Sequence, residues 1–173
     1  MKHIRSVGDA DRTRLAKVIQ ESWGSTLMST RGRVFDVLEV PGFVAEDGAE
    51  WLGYTGYEIR GPSMEIAILE AFAAGGGVGS ALLAACVSVA LNSAAERVWL
   101  ITTNDNVDAL RFYQRRGFVL VAVHRDAVTR AREGVKPELP LVGFHDIPLR
   151  DEIELELPRA NWHEFVERHA WPI

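Results

Sequence analysis

The chain has 173 residues, 47% of them hydrophobic and 25% charged, which fits one domain with a sizeable core. Its formal net charge is −5 with no long basic run, which argues against nucleic acid and anionic membrane surfaces as partners. Cys86 is the sole cysteine, so no internal disulfide forms and a reducing, cytoplasmic compartment is expected.

The opening Met1-Lys2-His3-Ile4-Arg5 has no apolar run, so no signal peptide is expected. The apolar run from Ala81 to Leu91 is broken by Ser88 and is far shorter than the roughly 20 residues that a membrane span needs.

His3 to Val7 reads as a first strand. Asp9 or Asp11 can cap a helix carrying Leu15, Val18, Ile19 and Trp23 at helical spacing, with Gly24 as its stop. Residues 24–38 are less regular, and Arg31, Arg33 and Asp36 there suit either a solvated connection or a flap that meets substrate. Pro41 to Glu46 and Glu50 to Ile59 predict two strands joined at Asp47-Gly48, a hairpin signal.

Glu65 to Leu69 is a short strand with apolar residues on both faces, so it belongs in the middle of a sheet. Period-two alternation puts Glu65 on a face with Ala67 and Leu69, and Glu70 on the other. A helix from Val78 carries Leu82, Leu83, Cys86, Val87 and Ala90 on one side. Arg97 to Thr102 is a further apolar strand, making a parallel βαβ unit with the strand before the helix.

Asn104-Asp105-Asn106 caps a second helix through Ala109, Leu110 and Tyr113, stopped at Gly117. Phe118 to Val123 is the next strand, and Arg125 to Gly134 a short helical stretch. Pro137, Pro140 and Pro148 mark an irregular excursion. Glu152 to Leu157 alternates strictly, as a strand with one wet face does. A short helix around Trp162, Phe165 and Val166 closes the chain. Five or six strands around one βαβ unit define an α/β domain with a mixed sheet of α+β character. Residues 1–157 form that domain, and 158–173 a helical tail packed on or near it.

The most suggestive stretch is Gly75-Gly76-Gly77-Val78-Gly79-Ser80, between the central strand and its helix. Glycines allow close backbone approach, and a helix N-terminus offers free N–H groups to an anion. No lysine follows as in an NTP-binding loop, and Gly75-x-Gly77-x-x-Ser80 is a degraded dinucleotide fingerprint. The five histidines are scattered without metal-ligand spacing, so no metal is expected.

Two segments resemble the GNAT N-acetyltransferase superfamily. One is the strand ending at Leu69 followed by Gly77-Val78-Gly79, similar to its Gln/Arg-x-x-Gly-x-Gly/Ala motif. The other is Asn106-x-x-Ala109-x-x-x-Tyr113-x-x-x-Gly117-Phe118, similar to its second cofactor segment. The stretch from Arg130 to Leu155 also looks like a tail of uncharacterised bacterial members. The resemblance implies a GNAT-like fold: a mostly antiparallel sheet, flanked by helices, whose one parallel pair splays where the cofactor enters. It implies acetyl transfer from acetyl-CoA directly to an amine, on a small molecule or a protein. A non-catalytic acyl-CoA-binding or regulatory module on the same fold is the alternative.

By the same resemblance, Ile68 and Leu69 meet the pantetheine arm and acetyl group, Gly75, Gly76, Gly77, Val78, Gly79 and Ser80 hold the pyrophosphate, and Asn106 caps its helix or touches the cofactor. Glu65 is the expected base, with pairing to an arginine as its alternative, and Tyr113 the expected acid for the departing thiolate. Ala74 stands where the superfamily has Gln or Arg, so a side-chain phosphate contact is missing there unless a more distant basic residue replaces it. His124 is a surface or core histidine, or enters the acceptor pocket. The Glu152–Leu157 strand and the Trp162–Trp171 tail could serve a homodimer or cover the sheet.

Overall fold

The computed structural model describes residues 1–72 and 75–172. In chain order it contains β1 (Lys2–Ser6), α1 (Arg12–Trp23), β2 (Leu27–Thr30), β3 (Arg33–Asp36), β4 (Gly42–Asp47), β5 (Glu50–Arg60) and β6 (Ser63–Ala71). There follow α2 (Val78–Leu91), β7 (Arg97–Thr103), α3 (Val107–Gln114), β8 (Val119–His124), α4 (Ala127–Glu133), β9 (Glu152–Leu157) and α5 (Trp162–His169).

Seven strands form one sheet in the order β1-β4-β5-β6-β7-β9-β8. Among the described residues of this sheet only β6 and β7 pair in parallel; the other five pairings are antiparallel. The parallel pair is joined through α2, which is apolar almost all round and buried at both Leu82 and Leu83. One core lies under α2 and takes in Met64, Ile66, Val98, Leu100, Phe118, Trp162 and Phe165. A second core on the opposite face packs Leu15 and Ile19 of α1 against Val44, Trp51, Tyr54 and Ile68. The tail is therefore part of the main core, and the carbonyl of Pro172 accepts a hydrogen bond from Ile4 N–H at 2.8 Å.

Two strands form where an irregular connection was expected. β2 and β3 pair antiparallel with Thr30 opposite Arg33, so the turn is only Arg31-Gly32. Both turn residues have positive φ, 50° and 77°, which is the backbone of a tight hairpin whose twist matches that of its strands. This hairpin overhangs the sheet.

The alternation expected along the central strand also fails. Tyr57 pairs with Ile66 and Gly56 with Ile68, so Ala67 is an extra residue in β6. This bulge shifts every later side chain to the other face. Ile66 and Leu69 both pack towards α2, whereas Ile68 joins the core under α1. Glu65 therefore shares its face with Ile68 and Glu70, not with Ala67 and Leu69.

Candidate active site

The bulge marks the point where β6 and β7 part. Their pairing runs from Ser63↔Arg97 to Ile66↔Leu100 and stops, although β6 continues to Ala71 and β7 to Thr103. Between the diverging ends lies a cleft of about 210 Å³. Ala67, Ile68 and Leu69 line one wall and Ile101, Thr102 and Thr103 the other. Backbone groups along these facing edges have lost their ladder partners, so an extended polar ligand can take them up.

Tyr113 and Asn106 reach the same cleft from α3. Asn106 is the helix cap, its side-chain oxygen accepting the Ala109 N–H at 3.1 Å. Tyr113 is buried, and loss of solvation raises its phenol well above the ordinary value, with Arg116 opposing. The phenol thus stays protonated at neutral pH, ready to donate.

At the outer end of the cleft the backbone is glycine-built. Gly75, Gly76 and Gly77 all have positive φ, at 88°, 65° and 76°, a run that side chains would strain. Gly77 caps α2, whose first-turn N–H groups point outwards. A Cβ on Gly79 would stand 2.8 Å from the Phe112 ring, so glycine there lets α2 and α3 pack closely. Beside this loop is a pocket of about 500 Å³ lined by Gly75, Gly77, Gly79, Arg111, Arg115 and Arg116. Arg116 donates to Ser80 Oγ at 2.7 Å, and Lys2 Nζ lies beside Gly76. These cations were not singled out from the sequence; Arg111 and Arg115 follow each other at i and i+4 on α3, one turn apart. The position with the missing motif side chain, Ala74, lies outside the described residues. The donor set fits a polyphosphate: free N–H groups, a helix N-terminus and three guanidiniums.

Glu65 is placed elsewhere. Its Oε2 accepts from Arg33 Nη2 at 2.7 Å, and Glu58 is 2.9 Å from the same nitrogen. It is buried under the hairpin and absent from the cleft wall. Burial raises its carboxyl above the ordinary range, and Arg33 only partly offsets this. Glu70 accepts from Trp23 Nε1 at 2.9 Å.

The carboxylate that does line the cleft is Glu152, at the start of β9. The alternating pattern of this strand predicted a wet face. Instead β9 sits between β7 and β8 with the hairpin over it, and Glu152 and Glu154 are 4% and 5% exposed. Such burial is tolerable because partners meet the charges. Glu154 receives Arg97 and, at 2.6 Å, His124 Nε2, while Glu152 Oε2 accepts the Arg31 N–H at 3.0 Å. Burial raises the Glu152 carboxyl; Arg31 N–H and His124 pull it down, and Glu65 pushes it up. His124 is thus a hydrogen-bonding partner of Glu154 at the border of this network. Sequence pattern gave no sign of Glu152, because only the hairpin lid turns that face inward.

Splayed parallel strands, a glycine cradle with cations, and an acid and a tyrosine lining one cleft make up the candidate site. The profile described as "Acetyltransferase (GNAT) family" matches residues 13–118. The chain is 39% identical over 140 residues to the uncharacterized protein YdhI of Bacillus subtilis (strain 168), covering 80% of this chain and 87% of that one. Its fold is similar to that of the IAA acetyltransferase from Bacillus cereus ATCC 14579, with TM-score 0.69, 21% identity and coverage of 91% and 99%. It is also similar to a Bacillus subtilis acetyltransferase solved in complex with CoA, with TM-score 0.65, 18% identity and the same coverage. The chain belongs to the GNAT acetyltransferase family.

Proposed function

We propose that this protein moves an acetyl group from acetyl-CoA directly to an amine, with Glu152 as the base and Tyr113 as the acid. The observation that carries the reading is that both side chains line the one cleft opened by the splay of β6 and β7. Acetyl-CoA would supply an acyl thioester whose carbonyl carbon the amine nitrogen attacks, forming the C–N bond as the C–S bond breaks. Gly75 to Ser80 and the α3 arginines suit the pyrophosphate and other phosphates, and the free edge of β6 at Ile68 and Leu69 suits the amide-bearing arm.

An alkylammonium with a pKa near 10.4 costs about 4–5 kcal/mol to deprotonate at pH 7. Glu152 accepts that proton, directly or through one water, and its raised carboxyl is a better base than an ordinary glutamate. Tyr113 donates its proton to the departing thiolate and regains one as product leaves. Glu65 serves as the buried counter-charge of Arg33, which braces the hairpin over the site.

The test is calorimetric titration with acetyl-CoA followed by thiol release across a panel of amines. Binding together with amine-dependent release is expected. Binding with no release on any amine would favour a non-catalytic acyl-CoA-binding module.

A further inference from the structure

A further cavity, about 470 Å³, lies against the hairpin turn on the side away from the cleft. Arg31 and Gly32 of the hairpin turn, His124 at the end of β8, and Arg130 and Ala131 of α4 line it. The hairpin turn borders both spaces. Thr30 faces the cleft and Arg31 the cavity, and the N–H of Arg31 is the group bound to Glu152. An occupant of the cavity is therefore one hydrogen bond away from the carboxylate that lines the cleft.

The charge in this cavity is out of keeping with an acidic chain. Arg130 spends one N–H on the Arg125 carbonyl at 2.9 Å and has no carboxylate within ion-pair distance among the described residues. Arg132, two residues further along the same helix, shows the contrast: it donates to the carbonyls of Leu139, Pro140 and Leu149. The Arg31 guanidinium lies over the Trp99 ring, 5.8 Å from its centre, and its nearest carboxylate is Glu154 at 3.9 Å, which Arg97 and His124 already hold. Both arginines line one cavity, and among the described residues neither has a carboxylate nearer than 3.9 Å. Guanidinium forks suit planar or tetrahedral oxyanions in two-point contact.

We propose that this cavity holds an anionic group of the acceptor, a carboxylate or a phosphate, with Arg31 and Arg130 as its anchors. The acceptor is then a small amine bearing a negative charge a few bonds from its nitrogen, so that anchoring the anion delivers the nitrogen to Glu152. This rests on the acetyl-transfer reading. It also disfavours the side chain of a lysine in a basic protein segment, which two arginines would repel.

The test uses matched acceptors: amino acids against their decarboxylated amines for the carboxylate, and phosphoethanolamine against ethanolamine for the phosphate. The wild-type protein should favour the anionic member of at least one pair by about tenfold or more in kcat/KM, and the pair showing it names the anion. In Arg31→Ala and Arg130→Ala that ratio should fall towards one, mainly through KM, with Arg130→Lys intermediate. Equal rates within every pair, or a preference that survives both substitutions, would overturn the proposal. A separate measurement does not depend on transfer. Inorganic phosphate titrated into protein saturated with acetyl-CoA should bind the wild type at least tenfold more tightly than the Arg31→Ala/Arg130→Ala double variant. Equal binding would overturn the anion site even if acetyl transfer is observed; a difference would uphold it even if no amine is acetylated.

Discussion

Arg31 and Glu152, far apart in sequence, meet where the hairpin turn touches the sheet: the Arg31 N–H donates to Glu152 Oε2 at 3.0 Å. This bond ties the hairpin turn to the edge of β9. The turn is held down by the carboxylate, and the carboxylate is covered by the turn. The result is a desolvated acid at the wall of the cleft opposite the diverging end of β6.

Tyr113→Phe should lower kcat by about tenfold or more while leaving acetyl-CoA affinity nearly intact, because the ring still fills its buried place and only the donor is lost. Steady-state rates with calorimetry in parallel check this. Unchanged turnover would remove Tyr113 from the chemistry.

Arg115→Ala should weaken acetyl-CoA binding by about threefold to tenfold and flatten its salt dependence, because one exposed cation beside the glycine loop is removed. Gly77→Ala should weaken it further. A side chain at φ 76° costs roughly 1–2 kcal/mol, and the loop would shift to relieve it. Calorimetric titration at two ionic strengths reads both effects. An Arg115→Ala protein with wild-type affinity at low salt would take α3 out of the phosphate site.

Glu152→Gln should stabilise the fold at neutral and alkaline pH. The carboxyl is raised in the folded protein, so its contribution is fully present in acid and declines as pH rises through the folded value. Glutamine keeps an acceptor for the Arg31 N–H and carries no charge to desolvate. The gain in Tm over wild type should therefore grow from about pH 4 to pH 8, where each kcal/mol is worth about 2–4 °C in a chain of this size. A gain that shrinks as pH rises would contradict the assigned direction.

Much of the architecture was legible in the sequence because local signals agreed. The apolar strand before the glycines, the capping Asn106 and the Gly117 stop each fixed an element, while the splay was an implication of the family resemblance alone. The acid was not legible. One extra residue at Ala67 reverses the facing of β6, and a bulge of this kind leaves no periodic trace. The β2–β3 hairpin escaped because Arg31 takes a positive φ that the sequence does not advertise. Without that lid, Glu152 and Glu154 read as the wet side of an alternating strand; with it, they are buried. The cations beside the glycine loop were hidden because their helix meets the loop only in the folded chain.

In the proposed reaction Glu152 takes the amine proton while Glu65 braces the hairpin. The most direct measurement is the pH dependence of kcat/KM for Glu152→Gln and Glu65→Gln on whichever amine the wild type acetylates fastest. Glu152→Gln should lose the acidic limb and reach useful rates only at alkaline pH, where free amine accumulates, while Glu65→Gln should keep the wild-type profile at a reduced height. A Glu152→Gln profile of wild-type shape and position, with the alkaline displacement in Glu65→Gln instead, would contradict these roles.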